Sequence, residues 1–155
     1  MLETERRKLG GSIHTILAHS YMAYFFLFLL GLLFHAFFPI KISNNAFIIF
    51  LSFLFLFFGT LLIFWAQHTS RKLDKSNITK ETFYHGPYCY VRMPTHIGLF
   101  MLMLGLGLLI NSFSIILFSI ISLLVNKLYF IKKEEDFLIK KYGSPYLEYK
   151  KSVRF

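Results

Sequence analysis

The residues of this sequence best placed to do chemistry are Arg92 and a pair of adjacent glutamates, Glu134 and Glu135, which lie at the two ends of one long apolar stretch. Arg92 belongs to FYHGPYCYVRMPTHIG (83–98), an aromatic and basic segment that holds two of the four prolines. A guanidinium grips a carboxylate through two parallel N–H bonds. Carboxylates accept from amines and hydroxyls, and the ring faces of Tyr88 and Tyr90 attract cations. Brought together, these groups would form a pocket offering both signs of charge. His85 and His96 flank the segment, but neither has a Cys or acid at ligand spacing, so no metal site is expected. The single cysteine, Cys89, excludes an internal disulfide and reads as a neutral residue.

The elements that must carry these groups are membrane helices. Of the 155 residues 55% are hydrophobic, 20 of them Phe, and neither Tyr21–Phe38 nor Ala46–Ala66 contains a formal charge. At about 1.5 Å per residue, each run crosses a hydrocarbon layer of about 30 Å. The first run follows some 20 polar or mixed residues and lacks a small-x-small cleavage site, so it reads as a helix and not a signal peptide. The expected fold is a single all-α membrane domain over 1–155, with four transmembrane helices at about 20–38, 46–67, 95–110 and 113–131. Residues 1–19 form a polar lead or an interfacial helix, and 80–98 form the loop bearing Arg92. NSFS (111–114) splits the last apolar stretch into a hairpin, because Asn and Ser favour turns and caps. The third helix would be short, about 24 Å by helical rise. Gly105 and Gly107 would let the fourth approach it closely. In the tail, 132–155, Phe137, Leu138 and Tyr142 recur at helical spacing, which predicts an amphipathic helix stopped near Gly143 to Pro145.

The net charge of +9 is distributed by topology. Arg6, Arg7 and Lys8 precede the first helix, Lys41 alone lies in the next loop, and basic residues return in the middle loop and the tail. The positive-inside rule places both termini and the middle loop in the cytoplasm. The charge therefore points to anionic membrane lipid and not to nucleic acid. A short chain rich in Phe, Ile and Lys fits a prokaryotic inner membrane. In this topology the third helix starts just after Arg92 and Pro94, and the fourth delivers Glu134 and Glu135 to the same face. The turn at Asn111 makes the two antiparallel neighbours, so Arg92 and the glutamates should meet at one depth.

GPYCYVRMPTHIG (86–98), the hairpin, the Glu134-Glu135 pair and YGSPYLEYKKSV (142–153) occur in an order that resembles the isoprenylcysteine carboxyl methyltransferase and phospholipid methyltransferase superfamily. FWAQHTSRKL (64–73) is similar to that family's Trp-containing segment, and the resemblance covers about 60–155. It implies S-adenosyl-L-methionine as methyl donor and a lipophilic or lipidated acceptor: a prenylcysteine carboxylate, a phospholipid amine or a thiol. Carried onto this chain, the donor site would comprise Tyr88, Tyr90, Arg92, Met93, Pro94, Thr95, His96, Gly98, Glu134 and Glu135, with Arg92 also the residue expected to serve catalysis. Methyl transfer needs alignment and exclusion of water more than a triad, and no triad is visible.

The chain departs from the pattern in several places. Met93 stands where the family has histidine, His96 where it has tyrosine and Cys89 where it has arginine. Lys80 replaces a further histidine, and an arginine expected before the glutamates falls near Phe130. These departures keep a second reading open, a non-catalytic member acting as a binding or assembly module. Plainer roles stay open too: an Arg92 that snorkels at the interface, glutamates paired with tail lysines, and belt tyrosines. A transporter is disfavoured because no Asp or Glu lies within the four spans.

Overall fold

The computed structural model describes residues 2–43, 45–71 and 79–153, with side chains from Thr15 onward except Lys80. Lys72, Lys75 and the side chains of Arg6, Arg7, Lys8 and Lys80, which entered the charge and motif readings, lie outside the described parts. The regular elements among the described residues are all helices, without strands. Helix α1 is Leu2–Phe37 and α2 is Ala46–Arg71. A one-turn helix α3, Lys80–Phe83, and a 3₁₀ turn, Gly86–Cys89, form the middle loop. Next come α4 (Pro94–Leu109), α5 (Phe113–Val125), a π turn (Asn126–Phe130), α6 (Ile131–Tyr142) and α7 (Ser144–Ser152).

Three segments, Thr15–Phe37, Ala46–Arg71 and Phe113–Tyr142, are long and apolar enough to cross a membrane, and Pro94–Leu109 is a shorter apolar helix. Phe25, Phe26, Phe50, Phe57 and Phe64 point outward and are exposed. In water such a surface would aggregate, whereas hydrocarbon is its natural solvent. The polar lead is not a separate element. No proline interrupts 2–37, and a helix once nucleated propagates at little cost, so α1 begins at Leu2.

The hairpin forms at NSFS. Asn111 takes the left-handed conformation, φ 58°, and Ser112 Oγ caps α5 by accepting from Ile115 N–H at 3.3 Å. Asn111 Oδ1 also accepts from the backbone N–H groups of Ile42 (2.9 Å) and Ser43 (3.1 Å), tying the turn to the α1–α2 connection. Helix α2 lies along α4, while α1 lies along α5, so these consecutive helices sit on opposite members of the hairpin. The α2–α4 contact is backbone to backbone at one point. A Cβ on Gly98 would stand 3.0 Å from the Gly59 carbonyl and 2.5 Å from Ile63 Cγ1. Gly107 does face α5, but Gly105 faces α2, because residues two apart on a helix point to different sides.

Beyond the hairpin the helix does not end near 131 but runs through the π turn to Tyr142. The extra residue of a π turn resets the helical phase, so Asn126 at its start and Glu134 after it can both face inward, and both are buried. The tail is amphipathic, and the middle loop covers its apolar face. After Gly143 the chain reverses, and Tyr146, Tyr149 and Val153 close on Phe83, Tyr84 and Tyr88.

Candidate functional site

At the end of the hairpin where α4 begins and α6 follows α5, a cavity of about 410 Å³ opens. Every neighbouring element contributes: Leu17 and Tyr21 from α1, Gln67 and Ser70 from α2, Phe83 from α3, and Tyr88 from the 3₁₀ turn. Arg92, Met93, Pro94, Thr95 and His96 supply the α4 entrance, Glu134, Leu138, Lys141 and Tyr142 supply α6, and Tyr146 and Tyr149 supply α7. The size falls within the roughly 300–1,000 Å³ of small-molecule sites.

Local sequence explains how the loop is held. Gly86 adopts φ +56°, and a Cβ there would collide with Thr69 on α2 and crowd the Trp65 indole nitrogen. The GPY turn is therefore pressed against the end of α2, which joins the Trp-containing segment to the site. Pro94 opens α4, and no side chain caps that helix end. Its first backbone N–H groups carry the positive end of the helix dipole and need partners from elsewhere.

The two glutamates do different work. Glu135 Oε1 forms an ion pair with Arg92 Nη1, and its Oε2 receives Lys150 Nζ at 2.7 Å. It does not line the cavity. It clasps the loop to α7, aided by the Tyr149 hydroxyl, which donates to the Tyr88 carbonyl at 2.7 Å. Glu134 lines the cavity, and its Oε2 lies 3.3 Å from His96 Nε2. His96 is buried at 2% exposure and lies beside the rings of Tyr21 and Tyr24, whose centroids are 6.3 and 5.9 Å away. Tyr24 donates its hydroxyl to the His96 carbonyl at 3.3 Å.

The tyrosines stay neutral phenols. Burial raises the Tyr88 hydroxyl above its usual range, opposed by a hydrogen bond with Ser70. Burial raises Tyr146, with the Glu135 carboxylate adding to the effect, and burial raises Tyr149, with Tyr88 adding. The part of the wall made by α7 and Tyr88 is thus aromatic and uncharged, and the charged side chains of the lining are Arg92, Lys141 and Glu134.

Of the residues singled out from sequence, the fold brings Tyr88, Arg92, Met93, Pro94, Thr95, His96 and Glu134 onto the cavity. Tyr90 is 76% exposed and points away, Gly98 is spent on the contact with Gly59, and Glu135 sits behind Arg92. His85 does not line the cavity. Sequence reasoning passed over Ser20, Tyr21, Gln67, Ser70, Phe83, Lys141 and the tail tyrosines. It also passed over Asn126, although an amide inside an apolar run was a visible signal.

Among protein-family models, one described as phospholipid methyltransferase matches residues 47–145, from the start of α2 to the start of α7. The match includes most of the cavity wall and both glutamates. No curated protein and no solved structure matches the chain.

Proposed function

The chain belongs to the phospholipid methyltransferase family, and from that premise we propose that it transfers a methyl group from S-adenosylmethionine to a lipophilic acceptor at the cytoplasmic membrane face. The observation that carries this reading is the convergence of Arg92, the α4 N-terminus and Glu134 on one cavity of about 410 Å³. Such a cavity fits a zwitterionic head with an extended apolar and aromatic body.

Arg92 would bind the donor's carboxylate. Its guanidinium lines the cavity and carries N–H donors in a planar fork that matches a carboxylate. The first N–H groups of α4, at Thr95 and His96, would add to that grip. Glu134 would accept from the α-amino group or the ribose hydroxyls. Tyr88, Phe83 and the tail tyrosines present aromatic faces to an adenine or a cation. Once bound, the donor supplies a methyl carbon already activated by a sulfonium. The chain's own part is then alignment and exclusion of water, and the aromatic lid of α3 and α7 suits the second task.

The acceptor would come from the bilayer. Leu17 and Tyr21, midway along α1, and Gln67 and Ser70, in the last turns of α2, line the cavity, and these two helices lie on opposite members of the hairpin. The gap between them is the route this reading assigns to a lipid. Met93, in place of the polar residue of the resembled motif, lines the cavity and favours a second reading, donor binding without turnover. One experiment separates the two. Membranes containing the protein are incubated with methyl-labelled S-adenosylmethionine, and their lipids are analysed by mass spectrometry. A labelled lipid that depends on Arg92 supports transfer. Binding by the purified protein without any labelled product supports the second reading, and no binding refutes both.

A further inference from the structure

Behind Glu134 a chain of buried polar side chains runs away from the cavity between α1, α4 and α5. Glu134 Oε2 meets His96 Nε2 at 3.3 Å, and His96 Nδ1 meets Ser20 Oγ at 3.5 Å. Ser20 Oγ donates to Asn126 Oδ1 at 2.7 Å, and Asn126 Nδ2 donates to the Ser122 carbonyl at 2.8 Å. Ser20 and Asn126 are fully buried. Such a chain is costly to bury unless each member is satisfied.

Its direction is fixed at the far end. A backbone carbonyl can only accept, so the Asn126 amide must turn its NH₂ toward Ser122 and its oxygen toward Ser20. The Ser20 proton is then committed to Asn126, and Ser20 Oγ can only accept from His96. Nδ1 must carry the hydrogen. A neutral His96 would therefore present a bare Nε2 to Glu134, and a bare nitrogen facing a carboxylate sets lone pair against lone pair. The contact becomes attractive when one proton lies between them, on either partner, and the pair is then neutral overall.

We propose that His96 is a positioning residue that holds Glu134 through one shared proton, its tautomer locked by Ser20 and Asn126, and that a cationic donor displaces this proton when it binds. The inference rests on the donor-site reading above. It follows from charge. A neutral pair attracts a cation weakly, whereas the pair without its proton carries one negative charge and attracts it strongly. The other groups facing His96 are the Tyr21 and Tyr24 phenols of α1. The cavity is also lined by the positive charges of Arg92 and Lys141 and by the phenols of Tyr88, Tyr142, Tyr146 and Tyr149. Of these groups, only Glu134 supplies a negative charge for the ligand. After methyl transfer the sulfonium charge is gone, the pair takes a proton back from solvent, and Glu134 loosens its hold on the demethylated product.

The test is calorimetry on the full chain in detergent, titrated with S-adenosylmethionine and with its demethylated product in two buffers of different ionisation enthalpy at one pH. The dependence of the observed heat on the buffer counts the protons released. The wild type should release up to one proton with the donor and fewer with the product, and its donor affinity should rise with pH. Ser20→Ala keeps both His96 and Glu134 but frees the tautomer, so Nε2–H can donate to the carboxylate and no extra proton is needed. It should bind the donor with proton release greatly reduced. His96→Gln should bind with none. Donor binding without proton release in the wild type, or undiminished release in Ser20→Ala, overturns the proposal while leaving the donor site standing. Absence of donor binding by the wild type overturns both.

Discussion

Removing Glu135 should open the tail far more than removing Lys150, although both belong to one ion cluster. The Glu135 side chain is 10% exposed and Arg92 18%, so theirs is a partly buried, charge-assisted bond. Breaking one such bond costs about 1.5–3 kcal/mol, which is roughly a 10- to 150-fold change in an equilibrium constant. Lys150 is 36% exposed, so solvent screens its contact with Glu135, which is worth about 0–1 kcal/mol, at most roughly fivefold. Docking of α7 depends on this cluster together with the Tyr149–Tyr88 bond and the aromatic cluster. Amide hydrogen exchange over 144–153 reads the opening equilibrium directly. Glu135→Ala should speed exchange there about 10- to 150-fold, and Lys150→Ala by less than about fivefold. Equal acceleration in the two variants would refute the assignment of Glu135 as the clasp. So would unchanged exchange in Glu135→Ala.

Glu134→Ala should weaken S-adenosylmethionine binding by about 10- to 150-fold, measured by calorimetry, since it removes a charge-assisted acceptor from the cavity wall. Arg92→Lys should bind the donor worse than its retained charge suggests, because an ammonium cannot make the bidentate fork; affinities equal to wild type in both Arg92→Lys and Arg92→Ala would make Arg92 an interfacial anchor. Gly98→Ala should lower thermal stability in detergent by about 1–3 kcal/mol through overpacking against Gly59 and Ile63, with donor affinity unchanged in the folded fraction. Reporter fusions after Ser43 and after Phe155 should report opposite sides of the membrane, as the charge distribution requires.

The local features were legible in the sequence because each rests on residues close together in the chain. Uncharged apolar runs of helical length specify membrane helices whatever surrounds them. NSFS specifies a turn through the conformational tolerance of Asn111 and the cap at Ser112. A hairpin of known polarity then brings Arg92 and the glutamates to one end of the bundle, which is why seven of the residues chosen from sequence meet in the cavity. The rest depended on helical phase and on which helix lies beside which. Glu134 and Glu135 are chemically identical neighbours, yet about 100° of helical rotation sends one into the cavity and the other to Arg92 and Lys150. Which of the two faces the cavity depends on the phase of α6, which the π turn shifts and no periodicity in 113–131 announces. Tyr90 turns outward for a similar reason, because the 3₁₀ turn orients Tyr88 inward and leaves its neighbour two residues on at the surface. Ser20, more than seventy residues from His96, became part of the site only when α1 packed along α5. Composition and spacing fix which segments enter the membrane; the meeting of one serine on α1 with one histidine on α4 is a property of the packed bundle alone.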